Sequence, residues 1–158
     1  MIKSLYKIKW EVRHHMKLIA LSAFLSDQAF KYWANKNIAE GEKVRVGNSK
    51  LILTNLKNRG MAFGFLARQR GTLLTVSILA VVNLFQVWRR TSGREKIGAA
   101  LMMGGGISNV YDRLAKGKVT DYVYIESKKP APVFNLADIF VIAGCLFIMI
   151  SRFCKKNG

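Results

Sequence analysis

Four long apolar blocks separate the charged segments of this chain, at residues 17–33, 71–88, 97–111 and 134–153. Each block is close to the roughly 20 residues that a helix needs to cross the hydrocarbon core of a bilayer. The second block carries no charged side chain, and a core helix of a soluble protein rarely runs this long without a polar face. The pattern therefore predicts a mainly α membrane protein with four transmembrane helices.

The net charge of +17 is large enough to suggest nucleic acid as a partner. The positions of the basic residues argue against it, because lysine and arginine crowd next to the apolar blocks, as they do on the cytoplasmic side of membrane helices. We therefore expect both termini in the cytoplasm, contact with anionic headgroups of the phospholipid bilayer, and no nucleic-acid partner. The flanking basic residues are Lys3, Lys7, Lys9, Arg13, Lys17, Arg89, Arg90, Arg94, Lys96, Arg152, Lys155 and Lys156.

A length of 158 residues suits one domain, and we expect residues 1–158 to form a single integral membrane unit. The first apolar block lacks a convincing cleavage site of small residues, which predicts a retained helix rather than a signal peptide. Cys145 and Cys154 lie nine residues apart, on opposite faces of the last predicted helix, so we expect them not to pair. The sequence has no cluster with metal-ligand spacing, and we expect neither a metal nor a cofactor.

All four aspartates of the chain lie inside or at the edge of apolar segments, at Asp27, Asp112, Asp121 and Asp138. An ionisable residue at the centre of a membrane-spanning helix costs roughly 2.5–3.5 kcal/mol on insertion scales, so it is a functional-site candidate. Lys31 follows Asp27 by four residues, and the two can pair on one helical face or contact a substrate. We interpret Asp121 and Asp138 as a catalytic carboxylate pair.

Small residues occupy every fourth position of the third block, at 100, 104 and 108, and the same spacing leads on to Asp112. Such a stripe allows a neighbouring helix to approach closely. A second row, one position further along, ends in Asn109 and Arg113. Close packing is thus expected to bring all three polar residues to one end of the bundle, where Arg113 should pair with a carboxylate.

Between the first two blocks, apolar residues at 44, 46 and 51–53 flank a glycine–asparagine turn, which predicts two short strands. The next segment, residues 55–66, contains Asn58 and Gly60 among aromatic side chains. Because glycine permits close backbone approach, this segment is expected to form a loop or small sheet on the outer membrane surface.

Alternating apolar residues at 119–125 predict a further strand, which places Asp121 on an otherwise apolar face. Two prolines then bar a helix until about residue 134. Asn135 and Asp138 lie three apart, and we expect them on one face of the first turns of the last helix. Taken alone, either aspartate can also be a turn, capping or helix-dipole residue.

Five short motifs, in this order, together resemble one family: lipoprotein signal peptidase, also called signal peptidase II. Ser108 stands where many members have glycine, and Arg59 lies inside the second motif. Neither departure touches the presumed carboxylate pair. The motifs are DQAFK at 27–31, NRGMAFG at 58–64, GGGISNVYDR at 104–113, VTDY at 119–122 and FNLAD at 134–138.

The resemblance implies four transmembrane helices with a small extracytoplasmic β cradle, in a multi-pass protein of the bacterial plasma membrane that we expect to be a monomer. It implies an aspartyl endopeptidase that removes the signal peptide of diacylglyceryl-modified prolipoproteins just before the lipidated cysteine. The family's catalytic aspartates match Asp121 and Asp138. Residues that match its substrate-binding or supporting positions are Asp27, Lys31, Asn58, Gly60, Asn109, Asp112, Arg113 and Asn135.

The residue types agree with that chemistry. Two facing carboxylates that cannot both ionise share one proton, so one can deprotonate a water while the other protonates the leaving group. Asn109 and Asn135 can orient the carboxylates or bind the substrate backbone. The alternative is a small proton-coupled membrane transporter, because intramembrane carboxylates also form proton relays. The lack of an internal repeat weighs against that alternative, and a non-catalytic scaffold would leave the clustered polar residues unexplained.

Overall fold

The computed structural model describes residues 2–60, 70–127 and 131–156. Its four helices pack with one antiparallel sheet, whose four strands lie in sequence order. The predicted mainly α architecture with a small sheet is therefore confirmed. The helices are α1 (Ile2–Asn37), α2 (Arg70–Arg90), α3 (Glu95–Lys116) and α4 (Leu136–Lys156), and the strands are β1 (Lys43–Arg45), β2 (Leu51–Asn58), β3 (Val119–Ile125) and β4 (Val133–Phe134).

The first helix, α1, extends well beyond the predicted block in both directions. No glycine or proline interrupts residues 2–37, so the sequence offers no break before the end of the helix. At that end, Asn37 Nδ2 donates a hydrogen bond to Trp33 O at 2.7 Å. Gly41, with a φ of 83°, then turns the chain towards the sheet, in a backbone conformation that favours glycine.

The third helix, α3, lies at the centre of the bundle, and its glycines let two other helices approach its backbone. A Cβ atom at Gly104 would lie 2.3 Å from Ala20 O of α1. A Cβ atom at Gly105 would lie 2.4 Å from Ala137 O of α4. Gly104, in the predicted stripe, thus lets α1 approach, and Gly105, one position further along, lets α4 approach. This packing brings the polar end of α3 against both helices.

Large apolar side chains cover the outside of the helices. A soluble monomer rarely exposes apolar surface on this scale, whereas lipid-facing helices do so as a rule. The surface is consistent with a membrane protein. The exposed residues on α2 and α4 include Val76, Ile78, Leu79, Val82, Phe85, Ile142, Leu146, Met149, Ile150 and Phe153.

Two of the described helices are long and apolar enough to cross a membrane, at Gly71–Arg90 and Leu136–Lys156. Their mean hydropathies are 1.7 and 2.1. Polar residues such as Asp27, Lys31 and Asp112 lower the hydropathy of α1 and α3. The residues that build the candidate site are therefore also those that weaken the sequence signal for two further spans.

Side chains at an irregularity in β2 form hydrogen bonds that attach the sheet to the end of α1. The pairing of β2 with β3 shifts between Leu53 and Leu56. At the shift, Asn55 Nδ2 donates to Ile38 O at 2.8 Å, immediately beyond α1. Thr54 Oγ1 donates to Glu42 O at 2.5 Å, in the chain that leads to β1. These bonds give the sheet a fixed position over one end of the bundle.

The second strand is longer than the predicted run of residues 51–53, because its pairing with β3 continues after the register shift as far as Asn58 opposite Val119. Leu56 lies opposite Asp121 in the same ladder. Successive side chains of a strand point to opposite faces, so Asp121 shares a face with Val123, as predicted. The segment at residues 61–69, which includes the end of the second motif, lies outside the described residues.

Candidate active site

Polar side chains from five elements meet where the sheet covers the helix bundle. β2 contributes Asn58, β3 contributes Asp121, and α3 contributes Asn109. Lys31 comes from α1 and Asp138 from the first turn of α4. Hydrogen bonds and ion pairs join all of the site residues predicted from the sequence into one connected network. Residues that are up to 110 positions apart in the chain, such as Asp27 and Ala137, are in direct contact.

Asp121 is almost completely buried, with 3% of its surface exposed, and each of its oxygens accepts an amide hydrogen bond. Asn58 Nδ2 donates to Oδ2 at 2.9 Å, and Asn135 Nδ2 donates to Oδ1 at 2.7 Å. Both amides are fixed in orientation, because Asn58 Oδ1 accepts Gly60 N at 2.8 Å and Asn135 Oδ1 accepts Asp138 N at 3.0 Å. Two immobile donors therefore face the carboxylate.

Burial, more than any other factor, raises the pKa of Asp121 to about 6. The hydrogen bond from Asn58 opposes the rise, the negative charge of Asp138 adds to it, and the bond from Asn135 again opposes it. The carboxyl group of Asp121 can therefore hold a proton at a pH where an exposed aspartate is ionised. This behaviour is typical of a carboxyl group that exchanges protons during a reaction.

Asp138 and Asn135 form a reciprocal pair at the start of α4. Asp138 Oδ2 accepts the backbone N–H of Asn135 at 3.2 Å, and Asn135 Oδ1 accepts the backbone N–H of Asp138. This is the geometry of a capping box, with Asn135 as the N-cap. The expectation that Asn135 lies within the first turns of the helix was therefore wrong: the helix begins at Leu136, and Asn135 precedes it because its side chain replaces a missing helical partner.

Asn109 connects the two carboxylates. Its Nδ2 donates to Asp138 Oδ1 at 2.9 Å, and its Oδ1 accepts Asn135 Nδ2 at 3.2 Å. Because the Asn135 amide also donates to Asp121, the path between the two aspartates runs through only two side chains. Lys31 Nζ donates to Asn109 Oδ1 at 2.9 Å, which fixes the orientation of the Asn109 amide.

Lys31 lies in a buried ionic cluster with two further carboxylates. Its Nζ lies 2.6 Å from Asp27 Oδ2 and 3.0 Å from Asp112 Oδ2, and all three side chains are fully buried. The sequence left open whether Asp27 and Lys31 pair with each other or contact a substrate, and the structure shows the pair. Lys116, which is 39% exposed, contacts the other oxygen of Asp112 at 2.6 Å. The cluster balances its own charges and supports Asn109 from the side of α1.

Arg113 does not form the predicted ion pair with a carboxylate among the described residues. Its Nη1 donates to Asn109 O at 3.4 Å and its Nη2 donates to Gly60 O at 3.3 Å. Amides already occupy both oxygens of Asp121, so backbone carbonyls take the guanidinium instead. Asp112 Oδ2 lies 3.0 Å from Lys31 Nζ and accepts no hydrogen bond in the described part of the chain. The buried Nε of Arg113 has no hydrogen-bond partner in the described part of the chain.

Two hydroxyl groups that were not assigned a role from the sequence also enter the network. Ser108 Oγ donates to Asp27 Oδ2 at 2.6 Å, and Tyr122 OH donates to Asp27 Oδ1 at 3.1 Å. Residue alternation along β3 could have placed Tyr122 on the face opposite Asp121. It could not have named Asp27 as the partner, because the two residues are 95 positions apart.

The family model for signal peptidase II matches residues 19–154 of the chain. The chain belongs to the signal peptidase II family. This is a family of peptidases, so a protease of the bacterial membrane replaces the alternative of a transporter. The matched segment contains every residue of the network, from Asp27 to Asp138.

Individual relatives agree with this assignment. The chain is 37% identical to the lipoprotein signal peptidase of Caldicellulosiruptor bescii over 132 residues, which cover 83% of this chain and 85% of the relative. It is 31% identical to the lipoprotein signal peptidase of Clostridium novyi over 146 residues, 89% of this chain and 97% of the relative. The corresponding enzyme of Bacillus subtilis is 29% identical over 84% of this chain and 89% of the relative.

The fold also matches solved structures. One, described as a bacterial membrane enzyme, superposes with a TM-score of 0.80 at 23% sequence identity and covers 90% of each chain. A second, described in the same way, gives a TM-score of 0.76 at 23% identity and covers 88% of this chain and 92% of the other. At this identity the comparison concerns the fold alone, which this chain shares with both structures.

Proposed function

We propose that this protein is an aspartyl endopeptidase, which cleaves the signal peptide of diacylglyceryl-modified prolipoproteins just before the lipidated cysteine. The observation that carries the proposal is the arrangement of Asp121 and Asp138, two carboxylates joined by the amides of Asn135 and Asn109. The names of the relatives supply the substrate class, and the exposed apolar surface supports a substrate that arrives in the membrane.

The two carboxylates supply the two proton transfers that hydrolysis of a peptide bond needs. One takes a proton from the attacking water, and the other gives a proton to the departing amine. The shared proton belongs to the pair, so neither role is assigned to one residue. Asn58 and Asn135 hold Asp121 in place, and Asn109 holds Asp138, so little reorganisation is needed during the reaction.

Arg113 is the residue best suited to contact the substrate near the scissile bond. Its positive charge interacts with Asp121 and Asp138 although it forms no ion pair with them. Its buried Nε has no partner among the described residues, and we propose that this N–H donates to a peptide carbonyl of the bound substrate. Gly60 and Asn109 bind the rest of the guanidinium through their carbonyl oxygens, which fixes its direction.

We further propose that all four helices cross the membrane as one integral domain, with both termini in the cytoplasm and the sheet on the outer side. α1 and α3 qualify because their polar residues face the bundle and not the lipid: Asp27, Lys31 and Asp112 are fully buried. Basic residues are densest at the end of the bundle away from the sheet, which supports that orientation.

In sealed vesicles, a thiol reagent added outside should label Lys50→Cys and leave Ser92→Cys unlabelled.

Cleavage of a defined substrate tests the proposed function. Purified protein in detergent is expected to shorten a diacylglyceryl-modified prolipoprotein and to release its signal peptide. The matched control is the same prolipoprotein without the diacylglyceryl group, which should remain uncut. Mass spectrometry of the shortened product gives the new N-terminus, and a first residue other than the lipidated cysteine would contradict the proposed specificity.

The pH dependence of cleavage follows from the shared proton. The pKa of Asp121 is raised to about 6, so the pair should lose its shared proton, and kcat/KM should fall, as the pH rises through about 6 and both carboxylates ionise. It should fall again in acid, where both are protonated. Bound substrate expels water and disfavours charge, so the alkaline limb of kcat should lie at higher pH than that of kcat/KM. A kcat/KM that climbs steadily from about pH 6 to 9 would contradict the shared proton.

A further inference from the structure

Tyr122 stands next to Asp121 on β3, and the two side chains leave the strand on opposite faces. Asp121 faces the amides of Asn58 and Asn135. The ring of Tyr122 lies on the other face, where it is 2% exposed and stacks on Phe30 of α1, with the ring centroids 6.0 Å apart. The tyrosine ring is therefore fixed between β3 and α1.

The hydroxyl of Tyr122 makes two hydrogen bonds at the first turn of α4. It accepts the backbone N–H of Leu136 at 3.0 Å and donates to Asp27 Oδ1 at 3.1 Å. The same oxygen of Asp27 accepts the backbone N–H of Ala137 at 3.1 Å. The first amides of a helix have no helical partners, and leaving them buried and unpaired costs free energy. Two of the first amides of α4 thus depend on one hydroxyl and one carboxylate, in addition to the amide of Asp138, which Asn135 caps.

The partner of the hydroxyl is itself held firmly. The second oxygen of Asp27 contacts Lys31 Nζ at 2.6 Å and accepts Ser108 Oγ at 2.6 Å. Burial and, after it, the negative charge of Asp27 raise the pKa of Tyr122, so the hydroxyl keeps its proton and remains a donor to Asp27. A lone pair of the phenol oxygen is then always available to Leu136.

We propose that Tyr122 is a positioning residue, whose hydroxyl holds the first turn of α4 against β3 and thereby sets the separation of the Asp121 and Asp138 carboxylates. The inference rests on the proposed function. Two adjacent residues of β3 thus have different parts in the reaction. Asp121 is one of the reacting carboxylates, and Tyr122, on the opposite face of the strand, contacts the helix that positions the other, Asp138. None of the hydrogen bonds of the hydroxyl reaches Asp121 or Asp138, so it acts on the reaction through the backbone of α4.

Tyr122→Phe tests the proposal, because phenylalanine keeps the stacked ring and removes only the hydroxyl. The change leaves the amide of Leu136 without its acceptor and removes one of the hydrogen bonds that hold the start of α4 against β3. We expect kcat for the lipidated substrate to fall about 10- to 100-fold, as is usual for residues that orient a reacting group without touching the substrate. KM should change by less than about twofold, since the hydroxyl has no place in the substrate contacts.

Tyr124→Phe is the matched control. Tyr124 lies two residues further along β3, on the same face of the strand as Tyr122. Lys43 Nζ lies over its ring, 5.0 Å from the ring centroid, and phenylalanine preserves this cation–π contact. We expect kcat and KM of this variant to match those of the wild-type protein. Thermal unfolding of both variants in detergent shows whether each remains folded at the assay temperature.

Assays of Asp121→Asn under the same conditions distinguish a failure of the positioning role of Tyr122 from a failure of the proposed function. Inactive Asp121→Asn together with a Tyr122→Phe variant of wild-type kcat would overturn the positioning role and leave the proposed function standing. An active, folded Asp121→Asn would overturn the proposed function, and the positioning role with it. A loss that appears only in KM, or that is equal in Tyr122→Phe and Tyr124→Phe, would also overturn the positioning role.

Discussion

Replacing Asp121 or Asp138 by asparagine is expected to abolish useful cleavage of the lipidated substrate, with a fall in kcat of at least about 1,000-fold. An amide can neither take a proton from water nor give one to the departing amine at the assay pH. The measurement is the initial rate of product release at saturating substrate, with the folded state of each variant checked by thermal unfolding.

The geometry around Asp121 sharpens this expectation. Asn58 and Asn135 present fixed donors to both oxygens of the carboxyl group, so an asparagine at position 121 would turn its own NH2 group towards one of them. The matched control is Asp112→Asn, another buried carboxylate, which lies in the lysine cluster and contacts neither aspartate of the pair. That variant should keep measurable activity. Complete loss in Asp112→Asn with activity retained in Asp121→Asn would show that the wrong carboxylate had been chosen.

The second large effect is expected from Lys31→Met, which should lower the free energy of unfolding by about 3–5 kcal/mol. Methionine fills a similar volume but leaves Asp27 and Asp112 as two buried negative charges without their shared counter-ion. It also removes the donor to Asn109 Oδ1, so the variant should lose activity even at temperatures where it remains folded. Denaturant titration in detergent micelles measures the loss of stability.

Lys116→Met provides the control for this prediction. Lys116 contacts the same carboxylate, Asp112, at 2.6 Å, but its side chain is 39% exposed. Water can replace much of its interaction, so the expected loss is no more than about 1 kcal/mol. Equal losses in the two variants would mean that burial does not decide the strength of the cluster, and Lys31 would then have no special part in its stability.

The sequence predicted those features of the fold that depend on the spacing of residues within one helix or strand. Small residues at every fourth position of α3 predicted close packing, and that packing brings Asn109 and Asp112 to the sheet end of the bundle. The alternation in β3 predicted the face of Asp121. The position of Asn135 before α4 was also open to prediction, because an asparagine with an aspartate three residues later has the spacing of a capping box.

Other features depended on competition between distant groups, which spacing does not reveal. Arg113 was expected to bind a carboxylate, but amides take both oxygens of Asp121, and the guanidinium binds the carbonyls of Asn109 and Gly60. Tyr122 acquires its role from Asp27, in another helix. Among the described helices, hydropathy detects only α2 and α4 as apolar spans, because Asp27 and Lys31 on α1 and Asp112 on α3 lower the hydropathy of the other two helices.

The central claim is that Asp121 and Asp138 act together in one catalytic step. The most direct test compares each asparagine variant with the double variant, in the same detergent and with the same lipidated substrate. If the carboxylates share one step, removal of the second costs nothing further, and all three variants should show the same residual rate. Losses that multiply, so that the double variant is slower than either single variant by about the full effect of the other, would contradict the claim.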